Sequence, residues 1–325
     1  MKAIVCEKFG PPSDLVLKEV ASPKPKPKEV LVTVKACGVN FPDTLIIQGL
    51  YQFKPPLPFT PGSDIAGIVK EVGAEIKHLK PGDEVFGFAM AGGFAEEVIM
   101  DGKAVFPKPP NMDFPIAASF MMAYGTSHYA LKDRAKLKEG ETLLVLGASG
   151  GVGLAAVELG KVMGAKVIAA ASTDDKLELC KTYGADMTIN YTTEDLKSKI
   201  KALTDGKGVD VVYDPVGGDY SEAALRGTAW EGRFLVVGFA AGDIPKIPLN
   251  LTLLKGCQIV GVFWGQFAMK FPNKNIQNIM ELMQWFTEGK LKPHLHATYD
   301  LADAPRALEE MMNRKVRGKV VITNG

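Results

Sequence analysis

The sequence predicts an α/β protein with two domains, one rich in β-strands and one built on a doubly wound parallel sheet. The chain has 325 residues, which is too many for one hydrophobic core of ordinary size. Up to about residue 120 it is rich in Pro, Gly and short β-branched runs, and beyond that apolar runs alternate with helix-length segments. A cluster of glycines between one apolar run and the following helix indicates a phosphate-binding turn in the second domain.

The N-terminal part is predicted to be an irregular antiparallel β-domain. Runs with alternating or β-branched apolar residues predict strands over residues 29–40, 65–73, 83–88 and 95–100. Proline at alternate positions makes residues 22–29 an extended connector with solvated lysines.

The second part shows the pattern of a parallel sheet covered by helices. Almost wholly apolar runs predict strands over residues 142–148, 165–171, 208–214, 232–239 and 258–263. Helices are predicted over residues 153–164, 174–184 and 275–290. The C-terminal tail ends in a strand that we expect to return to the first sheet. The predicted domains are therefore residues 1–123 with 294–325, and residues 124–293.

Composition excludes several classes of protein. A formal net charge of +1 gives no basic surface, so no nucleic-acid partner is expected. The four cysteines are scattered without a CxxC pair, which argues against a disulfide framework or a structural zinc knuckle. No apolar stretch is long enough to span a bilayer, and the first residues read as a strand, so no membrane is expected. The predicted location is the cytoplasm, or the mitochondrion if a transit peptide has been removed.

The glycine cluster follows a buried strand and opens a helix. A tight turn needs glycine where φ is positive, and a pyrophosphate can approach the backbone only where no Cβ blocks it. The spacing is GxxGxxG rather than GxGxxG, and close helix packing is the alternative reason for the glycines. The βαβ context favours a dinucleotide. The cofactor-binding residues predicted in this turn are Gly147, Ser149, Gly150, Gly151, Val152 and Gly153.

The end of the second apolar run indicates which dinucleotide binds. An acidic residue there would bond the ribose 2′-hydroxyl of NAD, but the run ends in Ala171 and is followed by Ser172 and Lys176. A hydroxyl and an ammonium can hold a 2′-phosphate, so NADPH is the predicted cofactor. Asp174 and Asp175 also follow the run, and we expect them to cap the next helix.

Several segments resemble the medium-chain dehydrogenase/reductase superfamily. They are CGVNFPDTLIIQGLY, PLPFTPGSDIAGIVKEVG, LGASGGVG and GRFLVVGFAAG, at residues 37–51, 56–73, 146–153 and 232–242. Within it the chain resembles the zinc-free quinone oxidoreductases, which include zeta-crystallin, and most closely the quinone oxidoreductase-like proteins, through residues 230–255 and 260–265. The resemblance implies a GroES-like catalytic domain, a Rossmann domain, an active-site cleft between them, and a homodimer or homotetramer.

The resemblance also implies that no metal is used. In the zinc enzymes of this superfamily a Cys and a His ligate the metal, and here Asn40 and Ser63 stand at those positions, with Met122 near the third. Asn, Ser and Met do not make a zinc site. His294 and His296 form an HxH pair, but no further candidate metal ligand accompanies them in the sequence. We therefore interpret them as surface or packing residues.

Without a metal, hydrogen-bond donors must stabilise the charge that develops when hydride reaches a conjugated carbonyl. Asn40 offers an amide and Tyr51 a phenol, and these are the predicted catalytic residues. A lid over the cleft is the alternative role for Tyr51. Asp43 is expected to order its loop beside the substrate pocket, and Phe41 to give the pocket an aromatic wall.

The resemblance implies further residues near the cofactor. Thr126 matches a residue near the nicotinamide ribose or carboxamide, with an ordinary helix-facing threonine as the alternative. Tyr191 matches one near the adenosine or 2′-phosphate, with core packing at a strand end as the alternative. Gly238, Phe239 and Ala240 follow a later strand and are expected to line the nicotinamide. Phe263, Trp264 and Gly265 follow the next strand and are expected to shape the cleft beside the cofactor, with a dimer contact as the alternative. Trp264 is also predicted to line the substrate pocket.

The function predicted from these observations is NADPH-dependent reduction of quinones or α,β-unsaturated carbonyl compounds by hydride transfer. An enoyl-thioester reductase uses the same chemistry on an acceptor with a phosphate-bearing handle, and it stays open as the alternative. A crystallin-like or RNA-binding role is the non-enzymatic alternative, because fold alone does not fix function.

Overall fold

A computed structural model describes residues 1–324 and divides into two compact units. One unit comprises Met1–Met122 together with the chain from Pro293 onward, and the other comprises Ala123–Lys292. These limits lie within one residue of those predicted from the sequence.

Strands and helices are numbered in chain order. The strands are β1 (Lys2–Val5), β2 (Val16–Glu19), β3 (Glu29–Val39), β4 (Asp64–Val72), β5 (Glu84–Phe88), β6 (Glu97–Asp101), β7 (Val105–Pro107), β8 (Thr142–Leu146), β9 (Lys166–Ala171), β10 (Met187–Asn190), β11 (Val209–Asp214), β12 (Thr228–Val236), β13 (Gln258–Gly261), β14 (Leu295–Asp300) and β15 (Lys319–Thr323). The α-helices are α1 (Phe41–Ile46), α2 (Phe114–Ala118), α3 (Met121–His128), α4 (Gly151–Val162), α5 (Asp174–Thr182), α6 (Leu196–Leu203), α7 (Asp219–Arg226), α8 (Asn250–Lys255), α9 (Trp264–Lys270), α10 (Pro272–Thr287) and α11 (Ala304–Met312). A π-helical segment, Tyr129–Ala135, follows α3.

The first unit is organised around the long strand β3. Its sheet has the order β14-β15-β3-β4-β5-β7, and β6 also pairs with β3. The first half of β3 pairs with β6 and its last residues pair with β15, both antiparallel. The C-terminal strand therefore completes the sheet of the first unit. This arrangement places Lys319, at the start of β15, next to the end of β3.

The second unit contains a six-stranded, wholly parallel sheet of order β10-β9-β8-β11-β12-β13. Counted within the unit, this is the order 3-2-1-4-5-6 of a doubly wound fold. The order reverses between β8 and β11, and ligands of such sheets bind at that point, beyond the carboxyl ends of the strands.

Burial explains why the central strands of the second unit are so apolar. Leu143–Leu146 of β8 and Val167–Ala171 of β9 are buried at every position, because helices cover both faces of the sheet. In the first unit, buried residues of β3, β4, β15 and α11 form a separate core. The predicted fold class, a GroES-like β-domain with a Rossmann sheet, is confirmed. None of the helices in residues 1–324 combines the length and apolarity that crossing a membrane requires.

Candidate active site

The turn between β8 and α4 is built by glycines at two positions. Gly147 has φ +56°, and a Cβ on it would lie 2.8 Å from a methyl group of Val216. Gly153 lies in the first turn of α4, where a Cβ would stand 2.3 Å from the carbonyl oxygen of Gly147 and 2.9 Å from the Cα of Ala148. These contacts are too short for any side chain, so the helix can start this close to the strand only with glycine there.

The start of α4 is suited to bind an anion. Gly150 is the N-cap, and the first helical hydrogen bond runs from Leu154 N to Gly150 O at 2.8 Å. The amides of residues 151–153 precede that bond and have no partner within the helix. They lie where β8 ends, beside the reversal of strand order, which is where a pyrophosphate is bound in this kind of sheet. The residues predicted from the turn thus lie together, and their contact with cofactor stays a prediction.

The loop after β11 faces this turn and is fixed by a residue that the sequence did not single out. Asp214 Oδ1 accepts hydrogen bonds from Val216 N at 2.8 Å and Gly217 N at 2.9 Å. Its Oδ2 accepts one from Ser221 Oγ at 2.6 Å. Burial raises the pKa of Asp214, and these three bonds oppose the rise. Asp214 could have been recognised from the sequence, because it is an acidic residue at the end of a buried strand and two glycines follow it shortly after.

The residues after β12 are held against the same loop. Ala240 N donates to Pro215 O at 3.1 Å, and the ring of Phe239 lies against Gly217. Gly238 and Ala240 thus lie beyond the carboxyl end of β12, against the loop that follows β11, and their contact with the nicotinamide stays a prediction.

The end of β9 brings together the residues predicted to select NADPH. Lys176 Nζ donates to Ser172 Oγ at 3.2 Å. Asp174, in the first turn of α5, accepts a 2.7 Å bond from Asn190 Nδ2, so this carboxylate already has a partner at the end of β10. The ammonium and the hydroxyl are adjacent, while the Asp174 carboxylate joins the start of α5 to the end of β10.

Tyr191 follows β10 and packs against Tyr220 of α7, with ring centroids 4.2 Å apart and the rings tilted by 39°. Tyr220 was not predicted as a partner, because nothing in the local sequence pattern relates two aromatic residues 29 positions apart. The pair is half-buried and belongs to the edge of the core.

Trp264 was predicted to line both the cofactor site and the substrate pocket. It is 5% exposed, its indole N–H donates to Asn275 Oδ1 at 2.9 Å, and its ring covers Gly125. This packing explains its burial inside the second unit, and its contact with substrate stays a prediction.

Two other residues predicted near the cofactor differ in burial. Thr126, next to Gly125 on α3, is half-buried, and Phe263 is 49% exposed.

In the first unit the predicted residues Asn40 and Asp43 lie in one buried polar cluster. Asn40 is 6% exposed and precedes α1, and its backbone N–H donates to Asp43 Oδ2 at 2.8 Å. The Asn40 amide nitrogen donates to the carbonyl oxygen of Gly38 at 3.3 Å. Asp43 is 1% exposed, which supports the expectation that it orders this loop.

Two further members complete the cluster, and neither was assigned a role from the sequence. Lys319 donates to Asn40 Oδ1 and to Val39 O at 3.1 Å, and its Nζ lies 3.7 Å from Asp64 Oδ2. Asp64 is fully buried, and its Oδ1 has no hydrogen-bond partner. The sequence offers one indication of a role for Lys319: it is a charged residue at the start of an otherwise apolar strand.

The cluster has unusual acid–base properties. Burial raises the pKa of Asp43 to about 7 and that of Asp64 to about 6, and the Lys319 ammonium opposes both shifts. Because these folded-state values lie above the ordinary range, ionising either carboxyl as the pH rises towards 7 costs folding free energy. The ammonium reduces that cost.

Tyr51 lies beyond α1 and is half-buried. Burial, and then the Asp43 carboxylate, raise the pKa of its phenol above the usual value. The phenol is therefore protonated at neutral pH and can donate a hydrogen bond.

The side chains at the expected metal-ligand positions do not fit a zinc ion. Asn40 is bound by an ammonium, which would repel a metal, and Ser63 is a buried hydroxyl. Across residues 1–324 there is no group of three or more His, Cys, Asp or Glu side chains that could hold a metal ion.

Comparison with known families gives two matches. The model for the alcohol dehydrogenase GroES-like domain matches residues 26–110, and the model for zinc-binding dehydrogenases matches residues 151–285.

Individual proteins resemble the chain over almost its full length. The quinone oxidoreductase-like protein 2 homolog of Nematostella vectensis is 41% identical over 99% of this chain and 88% of its own. The crystal structure of a probable oxidoreductase from Mycobacterium abscessus has a TM-score of 0.90 and 37% identity, covering 100% of this chain and 99% of its own. Escherichia coli quinone oxidoreductase, solved as a complex with NADPH, has a TM-score of 0.92 and 31% identity and covers 100% of both chains.

These matches establish that the chain is an oxidoreductase of a family whose structures include nicotinamide-cofactor complexes. It belongs to the quinone oxidoreductase family of the medium-chain dehydrogenase/reductase superfamily.

Proposed function

We propose that this protein is an NADPH-dependent reductase of quinones or α,β-unsaturated carbonyl compounds that works without a metal ion. The observation that carries the proposal is the glycine turn of Gly147 and Gly153 at the reversal of strand order. The NADPH complex of the related Escherichia coli enzyme supports the choice of cofactor.

The second unit would bind the cofactor in two places. The amides at the start of α4 bind the pyrophosphate, where the partial positive charge of the helix also lies. The Lys176 ammonium and Ser172 hydroxyl bind the 2′-phosphate. When bound, NADPH supplies the hydride for the acceptor.

The first unit would stabilise the oxygen of the acceptor. Tyr51 keeps its proton at neutral pH, so its phenol donates a hydrogen bond to the oxygen on which negative charge develops, and then the proton. Asn40 can act as a second donor if its amide leaves Gly38 O and bonds the acceptor oxygen instead. The present contact with Gly38 O is 3.3 Å long, which makes it a weak hydrogen bond.

The proposed function is tested by following the loss of NADPH absorbance with an ortho-quinone, a simple enone and a short enoyl-CoA as separate acceptors. Turnover of the quinone or the enone is expected. Turnover of the enoyl-CoA alone would identify a thioester reductase instead. Binding of NADPH without turnover of any acceptor would contradict the proposed activity.

The coenzyme preference predicts the effect of one substitution. Lys176→Ala should raise the KM for NADPH about tenfold or more and leave the KM for NADH unchanged, because only NADPH carries the 2′-phosphate. Lys181→Ala is the matched control, since Lys181 lies on the same helix and pairs with the exposed Glu178 at 2.6 Å. Equal KM values for the two coenzymes in the wild type would contradict the assignment of Ser172 and Lys176.

We also propose that the protein forms a homodimer through the edge strand β13. This strand lies at the end of the sheet beyond β12. Exposed apolar side chains lie on it and on the adjacent β12 and α8: Ile259, Trp230, Leu253 and Leu254. An open strand edge can pair with its own copy across a two-fold axis, which would cover these side chains.

The dimer predicts that Ile259→Lys halves the mass measured by light scattering at micromolar concentration, because a charge on the edge strand opposes pairing. Met280→Lys is the control, since Met280 is 62% exposed on α10. A wild-type protein of monomeric mass would refute the proposed interface.

A further inference from the structure

Lys319 has an almost fully enclosed side chain that makes two hydrogen bonds and one ion pair. Its side chain is 6% exposed, and its ammonium faces Val39 O, Asn40 Oδ1 and Asp64 Oδ2. The ammonium donates hydrogen bonds to the two oxygens of Val39 and Asn40, and it pairs with the Asp64 carboxylate at 3.7 Å. Lys319 thus ties the last strand of the chain to the point where β3 gives way to α1.

These contacts fix the orientation of the Asn40 side chain. Because the ammonium can only donate, the amide must turn its oxygen towards Lys319 and its NH₂ group to the other side. The NH₂ group then faces Gly38 O. A flip of this amide would set the NH₂ group against a positive charge.

The same ammonium balances the charge of the cluster. The titratable groups around it are Asp43, Asp64 and the thiol of Cys37, and Tyr51 is coupled to Asp43. Without Lys319, an ionised Asp64 would be a fully buried and uncompensated charge. A test of Lys319 must therefore separate positioning of Asn40 from charge balance.

We propose that Lys319 is a positioning residue of the reductase site: its hydrogen bond to Asn40 Oδ1 keeps the amide NH₂ group on the opposite side, where it can exchange its contact with Gly38 O for the acceptor oxygen. This inference rests on the proposed function, in which Asn40 is a donor. Lys319 acts through Asn40 and leaves cofactor binding to the second unit.

Three variants and one control test the proposal. Lys319→Met removes both the donor and the charge, while Lys319→Gln keeps a donor for Asn40 Oδ1 without the charge. Lys319→Met combined with Asp64→Asn restores charge balance, which guards against a loss of folding. Lys108→Met is the matched control, because Lys108 is 5% exposed, bonds Met112 O at 2.6 Å and pairs with Glu84. Lys108 and Lys319 have no partner in common.

We expect Lys319→Met and the double variant to lower kcat about tenfold or more and to leave the KM for NADPH within about twofold. Lys319→Gln should recover most of kcat, and Lys108→Met should retain it. Wild-type kcat in the folded double variant would show that Lys319 only balances charge and would overturn the proposal. Failure of Lys319→Gln to recover kcat would overturn it as well.

A second readout does not depend on turnover. The ¹⁵N resonance of the Asn40 side-chain amide, assigned by its absence from Asn40→Asp, should shift in Lys319→Met and stay close to wild type in Lys319→Gln. If the wild type reduces no acceptor, the proposed function fails, and this resonance still decides whether Lys319 holds the amide. An unchanged resonance in Lys319→Met would refute the positioning role.

Discussion

Replacing Gly153 by alanine is expected to lower the free energy of unfolding by about 2 kcal/mol and to raise the Kd for NADPH at least tenfold. Alanine is ordinarily favoured over glycine inside a helix, by roughly 1 kcal/mol. Here its Cβ would stand 2.3 Å from the carbonyl oxygen of Gly147, so α4 must move away from the turn. Urea unfolding and fluorescence titration with NADPH measure the two effects.

Gly150→Ala is the control for this prediction. Gly150 has φ −78°, and its added Cβ would lie 3.4 Å from the same oxygen, so the folded protein tolerates it. Its free energy of unfolding should stay within about 0.5 kcal/mol of the wild type. If both variants were as stable as the wild type, the close approach of α4 to the turn would not be a structural requirement.

Removing the Tyr51 hydroxyl is expected to lower kcat by about 10²-fold or more, because the phenol is the proposed proton donor. Tyr51→Phe should leave the KM for NADPH unchanged, since Tyr51 belongs to the first unit and the phosphate-binding residues to the second. Steady-state kinetics with the best acceptor measure both parameters.

The control for Tyr51 is Tyr299→Phe, which removes a phenol that bonds Glu310 at 2.6 Å in the same unit. The pH profile gives a further check. Because the pKa of Tyr51 is raised, loss of its proton should lower wild-type kcat only in alkaline solution, above the usual value of about 10. A Tyr51→Phe variant with wild-type kcat would show that Tyr51 only covers the site.

The features predicted well from the sequence are those with a local cause. Strands buried on both faces must be apolar throughout, so β8, β9 and β11 could be recognised from composition alone. The glycine turn could also be predicted. The helix starts so close to the strand that only glycine fits at positions 147 and 153. Lys176 and Ser172 are four residues apart at a helix start, so their proximity follows from helical geometry.

Tertiary structure alone decided the surroundings of Asn40. Its partner Lys319 lies 279 positions away, and the two meet because β15 returns to pair with β3. The pKa values of Asp43 and Asp64 likewise depend on burial and on that distant ammonium, neither of which is encoded near these residues. Local sequence determined the sheet and the phosphate turn because their constraints act within one element. The charge state and orientation of the polar cluster were set by contacts between segments that only the folded chain brings together.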